Sequence, residues 1–330
     1  MNDTRPRLAI TAGDPCGVGP EVVVKALAEP EVRRACRPLL VGDLRHLRRT
    51  AAACGVDLEL VPATGAEGDE AVPVVDLDDV DPALQPGDIA AAAGEAAWDA
   101  IEASVGLCLA GEVDGLVTAP IHKVALDLAG RGHEGHTEIL QRLTASPWSQ
   151  TLFVLERMRV LFYSRHLSLR DAIDAIRADR ICEVLERFAS VAPSIGLDSP
   201  RIAVAALNPH AGEGGRFGRE EIDEIAPGVE LARARGLDVH GPVPADSVFH
   251  LARQGRYDVI LSLYHDQAAG VLKSIDFHGT VSITLGLPFL RFSVDHGTAH
   301  DIAGQNRADA ANMVRTLLVA AERVGAPGKA

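Results

Sequence analysis

A chain of 330 residues, 47% hydrophobic and 24% charged, exceeds one domain of ordinary size and predicts two lobes with a ligand cleft between them. A formal net charge of −14, from 32 Lys+Arg against 46 Asp+Glu, argues against nucleic-acid and anionic-membrane surfaces, though a few inward-pointing cations can still hold an anionic small molecule. Cys16, Cys36, Cys54, Cys108 and Cys182 form no CxxC pair, so neither a disulfide framework nor a thiolate zinc site is expected.

In chain order, strand-like runs are predicted at Arg7 to Thr11, Leu39 to Val41, Val72 to Leu77 and Gly115 to Thr118. They continue at Thr151 to Leu155, Val160 to Tyr163, Arg201 to Leu207, Asp258 to Leu263 and Thr280 to Leu285. Several show no polar alternation, which suits strands buried on both faces of a largely parallel sheet. Helices are expected between them. One runs over Ile89 to Ala110, with Ile101, Val105, Cys108 and Leu109 on one face and Gly111 as a left-handed cap. Another runs over Leu169 to Phe188, with a stripe of Ile173, Ile176, Ile181 and Leu185. The alternation predicts an α/β fold with helices on both faces. The N-terminus lacks the apolar segment of a signal peptide, and no apolar run reaches membrane-spanning length, so a cytoplasmic location is the expectation.

In such sheets ligands collect where strands end. His166 follows the Val160 to Tyr163 run, His210 follows Ile202 to Leu207, and His265 follows Val259 to Leu263. A single histidine there is more often a hydrogen-bonded loop residue than a ligand. Three on converging strand ends would supply the imidazole donors favoured by zinc, cobalt or nickel.

Other motifs also carry two readings. ITAGDPCGVGPE ends a strand and turns through Gly13, Gly17 and Gly19 into a helix opened by Pro20; it is a tight turn or an anion-binding loop, and it is not GxGxxG. In GHEGHTEIL, His133, His136 and Thr137 suit phosphate or carboxylate oxygens, and Thr137 also suits a helix N-cap. Asp246 in PVPADSVF is a base, a partner orienting a histidine, or an N-cap. Lys273 and Arg291 suit an anionic substrate or surface ion pairs. In SVDHGTAHDIAGQ, Asp301 could accept both hydroxyls of an adenosine ribose, favouring NAD over its 2′-phosphorylated form.

Taken together, ITAGDPCGVGPEV, TAPIHK, GHTEIL, LNPHAGEGG, GPVPADSVF, YHDQ, ITLGLPFLR and VDHGTAHDIAG resemble, in order and spacing over nearly the whole chain, the 4-hydroxythreonine-4-phosphate dehydrogenase family of pyridoxal phosphate biosynthesis. The first and last blocks also resemble isopropylmalate and isocitrate dehydrogenases. The resemblance implies two α/β/α lobes of that type. One spans 1–135 with 285–330 and carries the cofactor segment; the other spans 136–284 and carries the metal ligands and a homodimer interface that completes the active site.

It further implies His166, His210 and His265 as ligands of a divalent metal (Zn, Co or Mg). His136, Thr137, Lys273, Ser282 and Arg291 become substrate contacts, and Asp295, His296, Gly297, Thr298 and Asp301 the NAD segment. The implied reaction is metal-dependent, NAD-linked oxidation and decarboxylation of 4-phosphohydroxy-L-threonine to 3-amino-2-oxopropyl phosphate. On that resemblance the metal would supply Lewis acidity at the substrate hydroxyl and at the carbonyl side of the decarboxylation, and Lys273 or Asp246 would move the proton. Ser282 departs from the asparagine usual in the family, and a shorter hydroxyl changes what the substrate meets. The same chemistry on D-threonate or D-erythronate 4-phosphate is therefore the alternative. A terephthalate-type cis-dihydrodiol dehydrogenase and a non-catalytic ligand-binding relative stand further off.

Overall fold

The unalternated apolar runs form strands covered on both faces: Leu8, Ala9 and Ile10 have no exposed surface, nor do Ala203, Val204 and Ala205. The computed structural model describes residues 3–64 and 71–325. The described residues fall into two units, 3–149 with 287–325, and Gln150–Gly286.

The first unit begins with β1 (Arg7–Thr11), α1 (Gly19–Ala28), α2 (Pro30–Ala35), β2 (Arg37–Gly42), α3 (Leu44–Ala53), β3 (Leu60–Pro62) and β4 (Val72–Asp76). It continues through α4 (Ala91–Leu109), β5 (Gly115–Thr118), α5 (Lys123–Leu128) and α6 (His136–Leu143). The second unit comprises β6 (Gln150–Leu155), β7 (Met158–Phe162), α7 (Leu169–Asp174), α8 (Ala178–Val191), β8 (Ile202–Ala205), α9 (Ala226–Ala234), β9 (Val239–Val243), α10 (Ala245–Arg253), β10 (Val259–Ser262), α11 (His265–Ile275) and β11 (Val281–Leu285). The chain then returns to the first unit with β12 (Arg291–Ser293) and α12 (Ala311–Val324).

The first unit's strands lie in the order β3-β4-β2-β1-β5-β12, every neighbouring pair parallel. From β1 the chain builds outward on one side, then crosses after α4 to place β5 on the other. Strand order therefore reverses between β1 and β5, the kind of switch point that opens a ligand crevice at the carboxyl ends. In the second unit the order is β11-β6-β7-β10-β8-β9, with β6 antiparallel to both its neighbours and the rest parallel.

All nine expected strands form, each end within two residues of its prediction. Three short strands, β3, β9 and β12, are not apparent in the sequence: two begin or end in proline or charge, and β9 carries glycine and proline inside it. The expected helix over Leu169 to Phe188 is broken into α7 and α8. The Tyr163 hydroxyl enters the break, donating to the Ala175 carbonyl and accepting the Arg177 amide at 3.1 Å, which replaces helical hydrogen bonds there. Gly111 has φ +70° just past α4, as a left-handed cap requires. Leu109, however, is 55% exposed and does not share the buried face of Ile101, Val105 and Cys108.

The units divide at Ser149, beyond the boundary expected at residue 135. The reason is packing: Ile139 and Leu140 of α6 join Trp98, Ile101 and Leu116 in one core cluster. His136 and Thr137 thus belong to the first unit. No helix among the described residues is long and apolar enough to cross a membrane.

Candidate active-site elements

In the second unit the three singled-out histidines follow three adjacent parallel strands: His166 after β7, His265 after β10 and His210 after β8. Local hydrogen bonds tie these strand ends together. The Tyr163 amide donates to the Ser262 carbonyl at 2.8 Å, and the Ser164 hydroxyl donates to the Leu263 carbonyl at 2.9 Å. Gln267 does the same between β10 and β8: its oxygen accepts from the Leu263 amide (2.8 Å) and the Ser262 hydroxyl (3.0 Å), and its nitrogen donates to the Ala206 carbonyl (2.7 Å). This explains the glutamine in YHDQ. Gln267→Leu removes this partner from the Leu263 amide and the Ala206 carbonyl, at about 1–3 kcal/mol each, while the Ser262 hydroxyl keeps the Tyr264 carbonyl at 3.0 Å. A clear fall in unfolding temperature by calorimetry is the expected result, and an unchanged melt would show that the tie carries no stability.

His166 and His265 line one cavity of about 340 Å³ with Arg165, Tyr264 and Asp266. The His265 ring stacks on Phe162 at 5.9 Å, and its Nδ1 lies 2.7 Å from Asp266 Oδ1. A carboxylate on Nδ1 leaves Nε2 as the outward donor. His210 is not in that cavity's lining, and among the described residues no group of three such donors is close enough to hold a metal.

His210 opens a run of left-handed backbone, with φ of +54° at His210, +52° at Ala211 and +43° at Glu213. Such conformations cost non-glycine residues energy and need outside support. Buried Glu221 supplies it, accepting the Leu207 amide at 2.8 Å, the Asn208 amide at 2.7 Å and the Asn208 side chain at 2.9 Å. Sequence reasoning missed Glu221, one of two adjacent glutamates on a polar stretch.

In the first unit Arg291 is 4% exposed and donates to the Thr118 hydroxyl from Nε at 3.0 Å and from Nη2 at 2.5 Å. Nearby His136 has its pKa pushed well below the ordinary histidine value, first by burial and then by the Arg291 charge. A neutral imidazole beside a buried guanidinium is suited to oxygen atoms of an anion. Thr137 is not the N-cap of α6: that position is Gly135, whose amide donates to Glu138 at 3.2 Å, and Thr137 lies in the first turn. Asp246 likewise sits in the first turn of α10, after Pro244 as N-cap, and accepts from Ser247 at 2.9 Å.

Lys273 lies on α11, two turns beyond His265, with Nζ 5.0 Å from the Phe277 ring centre. Ser282 is half-buried on β11, opposite Phe153. In the 295–301 segment, the Asp295 amide donates to Asn312 at 2.8 Å, His296 Nδ1 lies 2.9 Å from the Gly297 carbonyl, and the Thr298 carbonyl accepts the Val18 amide at 2.9 Å. Asp301 is exposed. A Cβ on Gly17 would stand 3.0 Å from both the Cβ and the carbonyl oxygen of Thr298, so glycine lets the two loops close up. Asp14, His122 and His300, which sequence reasoning missed, also gather in this unit. The rule that singles out His166, inspecting the loop after each fully buried strand, is enough to find Asp14 and His122.

The family model for pyridoxal phosphate biosynthetic protein PdxA matches residues 34–320. The chain belongs to this family. A Symbiobacterium thermophilum protein named for D-threonate 4-phosphate dehydrogenase is 49% identical over 98% of both chains. A similarly named Fusobacterium nucleatum protein is 43% identical, over 96% of this chain and 97% of its own. Among solved structures, 4-hydroxythreonine-4-phosphate dehydrogenase from Klebsiella pneumoniae superposes with a TM-score of 0.92 at 38% identity, covering 99% of this chain and 100% of its own. A terephthalate 1,2-cis-dihydrodiol dehydrogenase from Burkholderia xenovorans is more distant, with a TM-score of 0.64 and 29% identity over 95% of this chain and 98% of its own. All four are named as dehydrogenases, which supports an oxidoreductase.

Proposed function

We propose that this PdxA-family chain is an NAD-linked, divalent-metal-requiring dehydrogenase that oxidises and decarboxylates a 4-phosphorylated four-carbon hydroxy acid. The observation that carries the reading is the placement of His166, His265 and His210 after three adjacent parallel strands tied at their ends. Imidazole donors of this kind fit zinc or cobalt. When bound, the metal would supply Lewis acidity at the reacting hydroxyl and the dinucleotide would supply hydride-accepting capacity.

The remaining roles fall to side chains. Arg291 and neutral His136, with Thr137, hold the phosphate. Lys273 or Asp246 takes the hydroxyl proton, and Ser282 meets the substrate from β11. The segment Asp295 to Asp301, with His296, Gly297 and Thr298, seats NAD, and Asp301 takes the adenosine ribose. A homodimer completes the site.

The first reading of the substrate is 4-phosphohydroxy-L-threonine, in line with the names of the 38% identical solved structures. D-threonate 4-phosphate is the second reading, favoured by Ser282 and by the names of relatives at 43% and 49% identity. The test follows NADH absorbance with both substrates and D-erythronate 4-phosphate, before and after chelation. Loss of activity on chelation and recovery on adding zinc or cobalt are expected. Undiminished turnover by metal-free protein would overturn the metal role, and faster turnover of D-threonate 4-phosphate would settle the substrate in favour of the second reading.

A further inference from the structure

Three titratable side chains outside the roles above meet beside the first unit's switch point. Asp14 follows β1, His122 follows β5 as the N-cap of α5, and His300 follows β12. Asp14 is fully buried, and its Oδ1 accepts the Cys16 amide at 2.8 Å. Its Oδ2 lies 3.7 Å from His300 Nε2 and has no hydrogen-bond partner among the described residues. The His300 side chain is 14% exposed and stacks on His122, with centroids 4.6 Å apart and planes at 22°. Neither His300 ring nitrogen is hydrogen-bonded among the described residues. His122 Nδ1 is engaged by the Ala125 amide at 3.4 Å.

Buried polar groups without partners are costly, so the cluster calls for a physical explanation. A metal does not suit it: stacked imidazoles aim their lone pairs along near-parallel planes, not at one ion. A charge pair does suit it: at 3.7 Å His300 and Asp14 are within ion-pair reach without being hydrogen-bonded. Burial raises the Asp14 carboxyl and lowers the His300 imidazole, so each charge is costly there unless the other faces it. The other ionisable groups facing the pair are His122 and Cys16, whose thiol is pushed up to about 12 by burial, then by Asp14 and Asp88.

His300 is the residue before Asp301, and its backbone packs closely too: a Cβ on Gly87 would stand 3.1 Å from the His300 carbonyl, while the Gly87 amide donates to Cys16 at 2.7 Å. We propose that Asp14 and His300, with His122 stacked against the ring, are positioning residues: a clasp of facing charge and stacked rings that fixes the 295–301 segment on the β1–α1 loop and so holds Asp301 for the dinucleotide. This rests on the cofactor reading above. His300 is largely buried while its neighbour Asp301 is exposed, so anchoring one orients the other.

The test titrates NADH, read by fluorescence, into full-length wild-type protein and into His300→Phe and His300→Gln variants. Phenylalanine keeps the ring stack and removes both nitrogens. The dissociation constant for NADH should rise about tenfold in His300→Phe, as loss of one charge-assisted contact implies. Glutamine, which retains an N–H for Asp14, should recover most of the loss and serves also if the phenylalanine variant folds poorly. Wild-type affinity should fall as rising pH leaves a neutral His300 beside a buried carboxylate; His300→Phe should show a different profile, that of the buried Asp14 carboxyl without its partner. A His300→Phe variant with wild-type affinity and wild-type pH profile overturns the clasp alone. Failure of wild-type protein to take up NADH overturns the cofactor reading and the clasp with it.

Discussion

His265→Ala is expected to lower turnover about 10³-fold while leaving the protein folded. The estimate follows from the several kcal/mol of transition-state stabilisation that a Lewis-acid metal provides, at about 1.4 kcal/mol per decade. The fold should survive because the start of α11 is held by Gln267, whose three hydrogen bonds do not involve the imidazole. Metal content after dialysis and the rate with the better substrate should fall together, and the melting curve should move little. A variant that keeps its metal and its rate would remove His265 from the ligand set. His210→Ala is expected to behave similarly, although the left-handed φ at that position adds a small backbone term.

Arg291→Lys should raise KM for the phosphorylated substrate by about 10- to 100-fold with a smaller change in kcat. Hydrogen bonds to a charged group contribute about 1.5–3 kcal/mol, and lysine cannot reproduce the guanidinium fork. A KM within twofold of wild type would refute the phosphate role. The neighbouring histidine provides an independent reading. Because burial and then Arg291 depress His136, the folded state favours neutral imidazole. Its stabilising contribution is present above the ordinary histidine range and is lost as pH falls below it. In Arg291→Met the repulsion disappears and burial remains, so the His136 pKa should move part of the way back up, which NMR titration of the ring protons would detect. No movement would mean that the two side chains do not sense one another.

The strands were legible because burial on both faces writes itself as unbroken apolar sequence, and strand-end histidines could then be read by position. What failed was local. The α7–α8 break depends on a hydroxyl from Tyr163, a contact made by folding and invisible in helical periodicity. Thr137 and Asp246 have cap-like identities, but Gly135 and Pro244 occupy the caps two residues earlier in each case. His136 and Thr137 fell on the unexpected side of the division because α6 packs on α4, a tertiary preference its own sequence does not announce. The clasp stayed hidden because each member follows a different strand, and only the order β1-β5-β12 makes them neighbours.

The placement of Ser282 has an evolutionary consequence. It stands on β11, at the antiparallel margin of the second unit's sheet, whereas the three histidines follow β7, β10 and β8, whose ends are joined by Ser164 and Gln267. A substitution at Ser282 therefore touches none of the hydrogen bonds that join those strand ends. On the proposed roles, the reaction and the choice of molecule are in this sense separately mutable: a lineage could try new substrates at Ser282 while inheriting the histidine-bearing strand ends intact.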